Sequence, residues 1–516
     1  MTRVDDSLLI RGARLVDLDG SGTGAEVDVL VRAGRVVAVG RVDPGGFAGE
    51  VHEADGAWLM PGLWDAHVHL GQWSAGRTRL DLSGVGSVAE AVALVADRLA
   101  EHPGRPVIGW GHRPATWDTT PTRADLDALG TGQPVVLVAG DGHHGWMNTR
   151  ALAALELPLD VDLVSEAEWF EAYARLDAMT DEGGPGDYRA SMAAAAAIGV
   201  VGVTDFEFSG GVEDWLHRWR EGADLLRVRM ATYAEGLDDV LARGLRTGDP
   251  LAGDPRLVMG PLKVISDGSL NTGTAWCCEP YADGHGTTPH GEPNQSDAEL
   301  SDLLARATAG GLEVAVHAIG DRAVTAAVDA VESTGARGSL EHVQLSRTAD
   351  LDRMAALGLV ASVQPAHLLD DRDLSEQVWP DRGDRCFALR SMRDAGVRLA
   401  LGSDAPVSPL DPWLAAAAAV HRAPGDGDPW HPEQALTARE ALAASTDGWG
   451  TVALGHPADL VLLAEDPLAP SRSTTEAAAR LRRAGSDVLT TWVAGRLVHL
   501  GRAGDRGSDE GRGTAS

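Results

Sequence analysis

The sequence predicts an α/β protein: a (β/α)8 TIM barrel, a small β-sandwich formed by both chain termini, and an inserted subdomain after the first barrel strand. Three observations carry that expectation. Eight strand-like apolar runs alternate with alanine-rich helical stretches through the middle of the chain. Both ends have another texture, short alternating segments punctuated by glycine. The interval between the first two barrel runs is too long for one crossover helix and holds apolar runs of its own.

Taken in order, residues 1–57 read as the N-terminal part of the sandwich, with SLLIRGARLVD, AEVDVLVRAG and RVVAVG as its strands. The same texture returns in 450–501, in ADLVLLAED and VLTTWVAGRLVHLG. The barrel domain is expected over 58–449, with strands at 58–67, 200–206, 227–233, 258–266, 312–318, 339–344, 359–364 and 397–403. Residues 70–198 contain PVIGWG and PVVLVAG and read as the inserted subdomain. From 502 to 516 the chain is mostly Gly, Arg, Asp and Ser, and a disordered tail is expected.

Composition narrows the function classes. The 516 residues include 44 basic and 76 acidic ones, a formal charge of −32, which argues against nucleic acid and against an anionic membrane surface. The opening MTRVDDSLLIRGARLVD carries charges where a secretory signal needs an apolar core. No run of about 18 apolar residues is present, so no spanning helix is expected. The cysteines, Cys277, Cys278 and Cys386, form no CxxC; a disulfide framework is excluded, a metal role for them is not assigned, and a cytoplasmic setting is expected. Among the basic residues only Lys263 is a lysine; the rest are arginines.

In such barrels chemistry sits at the C-terminal ends of the strands. There stand His67 and His69, Lys263, His317, His342 and Asp404. His67 and His69 are two apart on a strand and face the same way, so both imidazoles can enter the barrel mouth as metal ligands. Taken singly, His317 and His342 could as well be core histidines bonded to backbone carbonyls, and Asp404 a helix N-cap. Their coincidence at separate strand ends favours a metal centre.

Lys263 lies within the apolar run VMGPLKVIS. A buried lysine is rare unless paired, and burial lowers its pKa. A neutral amine can take up carbon dioxide as a carbamate, an anionic oxygen ligand able to bridge two metals; arginine stays protonated and cannot. The alternative, a buried ion pair with Asp267, would be served equally by the arginine that this chain uses everywhere else.

The motifs PGLWDAHVH, DGHHGWMNTRAL, LKVISDGSL, VHAIGD, LEHVQ, QPAHLLDD and LALGSDAPV, in this order, resemble the amidohydrolase superfamily over nearly the whole chain. Within it the chain is similar to the amidohydrolase-3 family, the branch containing N-substituted formamide deformylases. The resemblance implies one metal held by His67, His69 and Asp404, a second held by His317 and His342, and a carboxylated Lys263 bridging them. It implies divalent ions, zinc first, one or two per chain, with Asp404, His317 and His342 as the catalytic set. His143, Trp146, Asp267 and His367 are the expected substrate-binding residues. Asp141 and Asn148 flank the first two, and Asp371 follows His367 toward the pocket. Trp64 and Trp73 flank the HxH pair, with packing as their expected role. The family's arginine after DGSL is missing: the segment reads Asn271-Thr272-Gly273-Thr274-Ala275. The stretch STDGWGTVALGHPADL, before the closing strands, is shorter than the family's.

The expected reaction is hydrolysis of a non-peptide carbon–nitrogen bond of a small amide, formamide or cyclic amide, and the resemblance implies a homodimer. The alternatives are a single-metal amidohydrolase, a lactonase, isomerase or decarboxylase on the same scaffold, and a barrel that binds a small ligand without turnover.

Overall fold

The computed structural model describes residues 7–21, 24–45, 47–77, 79–114, 117–140, 142, 144–173, 175–176, 185–208, 210–286 and 288–501. Eight parallel strands follow one another in chain order around the barrel. They are β1 (Leu63–Val68), β2 (Val200–Asp205), β3 (Arg227–Thr232), β4 (Asp254–Ile265), β5 (Val314–Ala318), β6 (Gly338–His342), β7 (Val360–Val363) and β8 (Arg398–Leu401). A short strand, Pro250–Leu251, adds antiparallel to β4. Every residue of β2 is buried, as a parallel strand covered on both faces requires.

The barrel closes between β1 and the segment after β8. Val68 bridges Ala405 in parallel. The amide of Asp404 donates to His67 O at 2.7 Å, and that of His69 to Ala405 O at 2.9 Å. Asp65 Oδ1 accepts from Ser403 N at 2.9 Å and from His67 N at 3.1 Å, so one buried carboxylate ties both edges. Gly402 permits the approach: a Cβ there would lie 2.7 Å from His67 N and 2.8 Å from its Cβ.

The helices that follow the strands cover the barrel with their apolar faces. Asp297–Gly310 starts at a capping box between Ser296 and Glu299 and buries Leu300 and Leu304. Asp321–Thr334 buries Val324 and Val328, and Thr348–Leu357 buries Leu351 and Met354. All six join the main core.

Both chain ends form one eight-stranded sheet, with Ser7–Leu15, Glu26–Arg32, Arg35–Gly40, Glu50–Glu53 and Trp58–Pro61 from the start and Leu460–Leu463, Val488–Val493 and Arg496–Leu500 from the end. Leu8, Ile10, Val29, Leu59, Leu460 and Trp492 share its buried cluster. The run expected as one strand at 58–67 is divided. Trp58–Pro61 pairs antiparallel with Leu460–Leu463, and only Leu63–Val68 enters the barrel. Pro61 lacks an N–H and Gly62 turns away, its amide donating to Asp459 O at 2.8 Å, so the chain leaves one ladder for the other.

Between β1 and β2 lies a separate five-stranded sheet: Leu80–Asp81, Val107–His112, Val135–Ala139, His144–Met147 and Leu163–Ser165. Ile108, Val136, Val138, Leu152 and Trp169 pack in its core. An ion pair from Arg113 to Asp370, at 3.2 Å, links it to the helix Leu368–Val378 that follows β7. Among the described residues no helix is long and apolar enough to cross a membrane.

Replacing Gly402 by Ala is expected to cost about 1–3 kcal/mol, because the added carbon meets backbone that cannot yield without opening the seam. Gly132→Ala, where nothing lies within 4 Å, should stay within about 0.5 kcal/mol of wild type. Urea unfolding of both variants checks this; equal midpoints would show that the seam is not tightly packed.

Candidate metal centre

The seam brings the ends of the first and last strands to one point. His67 is the penultimate residue of β1, and His69 follows the strand directly. Asp404 stands beyond β8 with φ at +57°, a left-handed conformation that turns its side chain back over the seam. Its Oδ1 lies 3.4 Å from His67 Nε2 and 3.3 Å from His69 Nε2. One donor atom from each of the three lies within 4.8 Å of the others, and all three residues are buried. On β4, Lys263 Nζ is 3.3 Å from His67 Nε2 and 4.3 Å from the centre of the Phe206 ring.

The ring orientation of His67 is set from behind. Its Nδ1 donates to Glu341 Oε2 at 2.6 Å, leaving Nε2 with its lone pair toward the cluster. Glu341 is buried and also accepts from the Ser339 hydroxyl. Strand alternation would send Glu341 and His342 to opposite faces. The left-handed backbone at His342 (φ 70°) and Val343 (φ 45°) ends that alternation, and both side chains reach the cluster.

Burial and charge set the protonation states. Burial, and then the Lys263 charge, hold the His67 imidazolium form off, well below its ordinary range. Burial and the neighbouring His317 do the same at His342. Burial alone would raise Asp404, but the His69 hydrogen bond and the imidazoles grouped around it hold its carboxyl below the usual range. Burial lowers the Lys263 amine to about 8 against the opposing pull of Glu341 and Asp404. Neutral His67 and His342 beside an ionised carboxylate, with His69 Nδ1 buried and lacking a hydrogen-bond partner, are a donor set that suits a divalent cation.

A second grouping differs from the expected one. His342, His367 and Asp404 also offer donor atoms within 4.8 Å of one another. His367, expected only as a substrate contact, stands just after β7 with its Nε2 3.9 Å from Asp404 Oδ2. His317 on β5 packs edge-on against His342, ring centres 4.5 Å apart, while its Nε2 donates to Gly268 O at 3.2 Å.

The other sequence-predicted residues divide. Asp371 is next to the cluster's edge, accepting from Gln344 at 3.1 Å and from Asn271 at 3.5 Å. Trp146 is the clearest correction: its indole is 0 % exposed inside the inserted sheet and donates to Thr122 O at 2.7 Å, so no face is left for substrate. Asn148 caps the helix Thr149–Ala154 through Ala151 N. Asp141 and His143 lie outside the described residues. Trp64 packs as expected, donating to Thr204 at 3.2 Å under the Arg229 guanidinium. Trp73 packs half-buried against the core.

Sequence reasoning missed Glu341, Asp65, Phe206 and Phe208. The signal for the two carboxylates was an acid inside an apolar strand, LWDAH and SLEHV, where burial without a partner is costly. Phe208, 50 % exposed, stacks on His69 with ring centres 4.8 Å apart.

A cleft of about 420 Å³ lies at the opposite end of the barrel, between β2–β4 and the terminal sheet. Its Arg227 pairs with Asp459 at 2.5 Å and its Arg229 with Asp447 at 2.6 Å, so both guanidinium charges are already paired. The reactive groups are all at the other end.

A model of the amidohydrolase family matches residues 50–499. The chain is 28% identical over 555 residues to the protein LONG AFTER FAR-RED 3 of Arabidopsis thaliana, covering 95% of this chain and 91% of that one. It is 26% identical over 524 residues to an N-substituted formamide deformylase of Arthrobacter pascens, covering 91% and 95%. Among solved structures, an uncharacterized metal-dependent hydrolase of Pyrococcus horikoshii OT3 superposes with a TM-score of 0.78 at 26% identity, covering 90% of this chain and 98% of that one.

Asp267, expected to contact substrate or pair with Lys263, does neither through a free oxygen. It is 0 % exposed and accepts from Trp276 N and Gly320 N at 2.9 Å and from Ile319 N at 3.0 Å. The carboxylate fastens the loop after β4 to the end of β5. Asp267→Ala strands three backbone amides, two of them buried, and is expected to cost about 3–5 kcal/mol, read from the urea midpoint. Wild-type stability together with a raised KM would restore the substrate-contact role.

Proposed function

The chain belongs to the amidohydrolase family and is a hydrolase. From that premise we propose that it cleaves a carbon–nitrogen bond other than a peptide bond, in a small amide, formamide or cyclic amide. The cation would be held by His67, His69 and Asp404, with zinc as the ion that best suits two imidazoles and a carboxylate. The observation that carries this reading is the meeting of those three donors across the barrel seam. When bound, such an ion polarises a carbonyl and acidifies water at neutral pH.

The chain's own residues supply the rest. Glu341 keeps His67 in the tautomer whose Nε2 faces the centre. Asp404 stays ionised, and its Oδ2, turned away from the HxH pair, is the atom that accepts a proton from water and returns it to the leaving nitrogen. Phe206 and Phe208 cover the imidazoles of His67 and His69 and keep bulk water from their faces.

Lys263 is read as a carbamate in the working enzyme. As an ammonium 3.3 Å from His67 Nε2 it would repel a cation at that nitrogen; as a carbamate it would supply an oxygen donor at the same place. The amine is fully enclosed, and an arginine could not make that change.

Four outcomes follow. Purified protein should carry divalent metal and turn over at least one member of a panel of N-formyl, N-acyl and cyclic amides. His69→Ala should lower both metal content and kcat/KM, the latter at least about 100-fold; full activity in that variant would sink the metal reading. Lys263→Ala should lose metal and activity together, with partial return on adding small carboxylic acids. In metal-stripped protein at fixed dissolved carbon dioxide, the initial rate of ¹³C uptake at Lys263 should rise about tenfold per pH unit below the amine's own value and level off above it, because only the neutral amine attacks carbon dioxide. The turning point is expected near about 8 because burial lowers the amine from 10.5, so the neutral form gains population as pH rises through that value. Absence of a ¹³C carbamate signal at pH 9 would overturn the carbamate.

A further inference from the structure

The cleft of about 420 Å³ at the far end of the barrel holds chemistry that the metal centre does not use. Among the described residues its lining includes four arginines, Arg35, Arg227, Arg229 and Arg256, against two aspartates, Asp447 and Asp459, in a chain whose formal charge is −32. Three of the guanidiniums are neutralised: Arg227 by Asp459 at 2.5 Å, Arg229 by Asp447 at 2.6 Å and Arg256 by Asp254 at 2.6 Å. Arg35 differs. Its Nη1 donates to Gly455 O at 2.9 Å, and among the described residues no carboxylate pairs with it. One positive charge is therefore left over on the cleft wall. Arg35 also bridges Pro457 through its backbone, which sets it beside the stretch 445–460 that forms another wall. From that stretch Trp449 stands 37 % exposed, its ring centre 4.9 Å from that of His456, and His456 Nδ1 is buried without a hydrogen-bond partner. Trp64 offers no comparable face, being buried with the Arg229 guanidinium 4.1 Å from its ring centre.

We propose that this cleft is a ligand site separate from the metal centre and that it takes a small aromatic monocarboxylate. Size, charge and shape each select that class. The volume falls within the range of roughly 300–1,000 Å³ usual for small-molecule sites, which favour junctions between structural units. One unmatched guanidinium calls for one negative charge, and its planar fork presents paired donors to two carboxylate oxygens. A phosphate dianion would bring a second charge that nothing on the wall balances. The half-exposed indole of Trp449 supplies a flat apolar face for a ring, and a carboxylate oxygen can satisfy a proton on His456 Nδ1. Pro61, Gly62 and Trp64, which lead into and begin β1, line the same cleft, and the Trp64 amide donates to Ser445 O at 2.8 Å. A bound ligand thus touches the barrel, the terminal sheet and the 445–460 stretch at once, and stabilises the folded chain in proportion to its occupancy.

The test is calorimetric titration of the full chain with 2-naphthoate, using 2-naphthylmethanol as the uncharged counterpart. Wild type should bind 2-naphthoate saturably, and the alcohol at least about tenfold more weakly. Arg35→Gln should weaken 2-naphthoate at least about tenfold and leave the alcohol unchanged. Trp449→Ala should weaken both by about fivefold, and it decides the matter alone if the arginine variant does not fold. The unfolding temperature of wild type should climb with 2-naphthoate concentration, and that of Arg35→Gln should stay flat over the same range. A carboxylate can also ligate a metal ion, so His69→Ala is titrated alongside and should keep the wild-type affinity. No saturable binding to wild type, or wild-type affinity in Arg35→Gln or in Trp449→Ala, would overturn the site. Loss of binding in His69→Ala would overturn it too, by placing the carboxylate at the metal centre. The metal-centre reading stands or falls on its own measurements whichever result is found.

Discussion

The closure of the barrel between its first and last strands is the interaction on which the rest depends. Asp65 accepts from Ser403 N and His67 N, and the Asp404 amide donates to His67 O. Two of these bonds join residues more than three hundred positions apart, and two engage the backbone of the ligand residues themselves. A barrel that failed to close would leave an unpaired edge and also separate the HxH pair from Asp404. Fold and site therefore share one seam. Gly402 lets its two edges approach, and Asp404, two residues on, adopts a left-handed backbone. A left-handed φ at a non-glycine residue costs free energy and persists where neighbouring contacts enforce it.

Behind the seam the centre is organised by desolvation. His67, Lys263 and Glu341 are all at most 2 % exposed, so each charge state there is decided by its neighbours and not by water. Neutral His67 between the acid at Nδ1 and the amine at Nε2 is the state in which neither imidazole nitrogen lacks a partner. The depletion of lysine elsewhere sharpens the point. Where this chain needs a positive charge, as in the pairs of Arg227 and Arg229, it uses guanidinium and satisfies it with carboxylates. At position 263 a guanidinium would remain charged and could not leave the His67 lone pair free.

Much of this was legible beforehand because strand period and strand ends are written in apolar runs. All eight barrel strands fall within or across the expected runs, and the expected ligands lie at their C-terminal ends. What was illegible depends on contacts between distant segments. The division of 58–67 is decided by Leu460–Leu463, which competes for the first half of that run. Trp146 and Asp267 read as site residues from motif position, yet the inserted sheet and three backbone amides consume them. Glu341 was hidden by its neighbour: alternation assigns only one of two adjacent residues to the mouth, and only the left-handed turn at His342 admits both. The nearness of His367 to Asp404 comes from the loop after β7, whose path no local pattern encodes.

The terminal sheet has a mechanical place in this arrangement. The segment that leads into it braces the seam from below: Trp64 N donates to Ser445 O at 2.8 Å and Leu401 N to Ala444 O at 3.0 Å, one bond to each edge strand. Asp459 then takes Arg227 on its carboxylate and Gly62 N on its carbonyl, fixing the point where the chain passes from the terminal sheet into β1. Both closing strands are thus held at the end of the barrel away from the chemistry. Their other ends can then carry strained residues and unpaired imidazole nitrogens without letting the edges part. A metal centre built across a seam needs that support more than one built within a single strand, because its ligand spacing is the seam's own width.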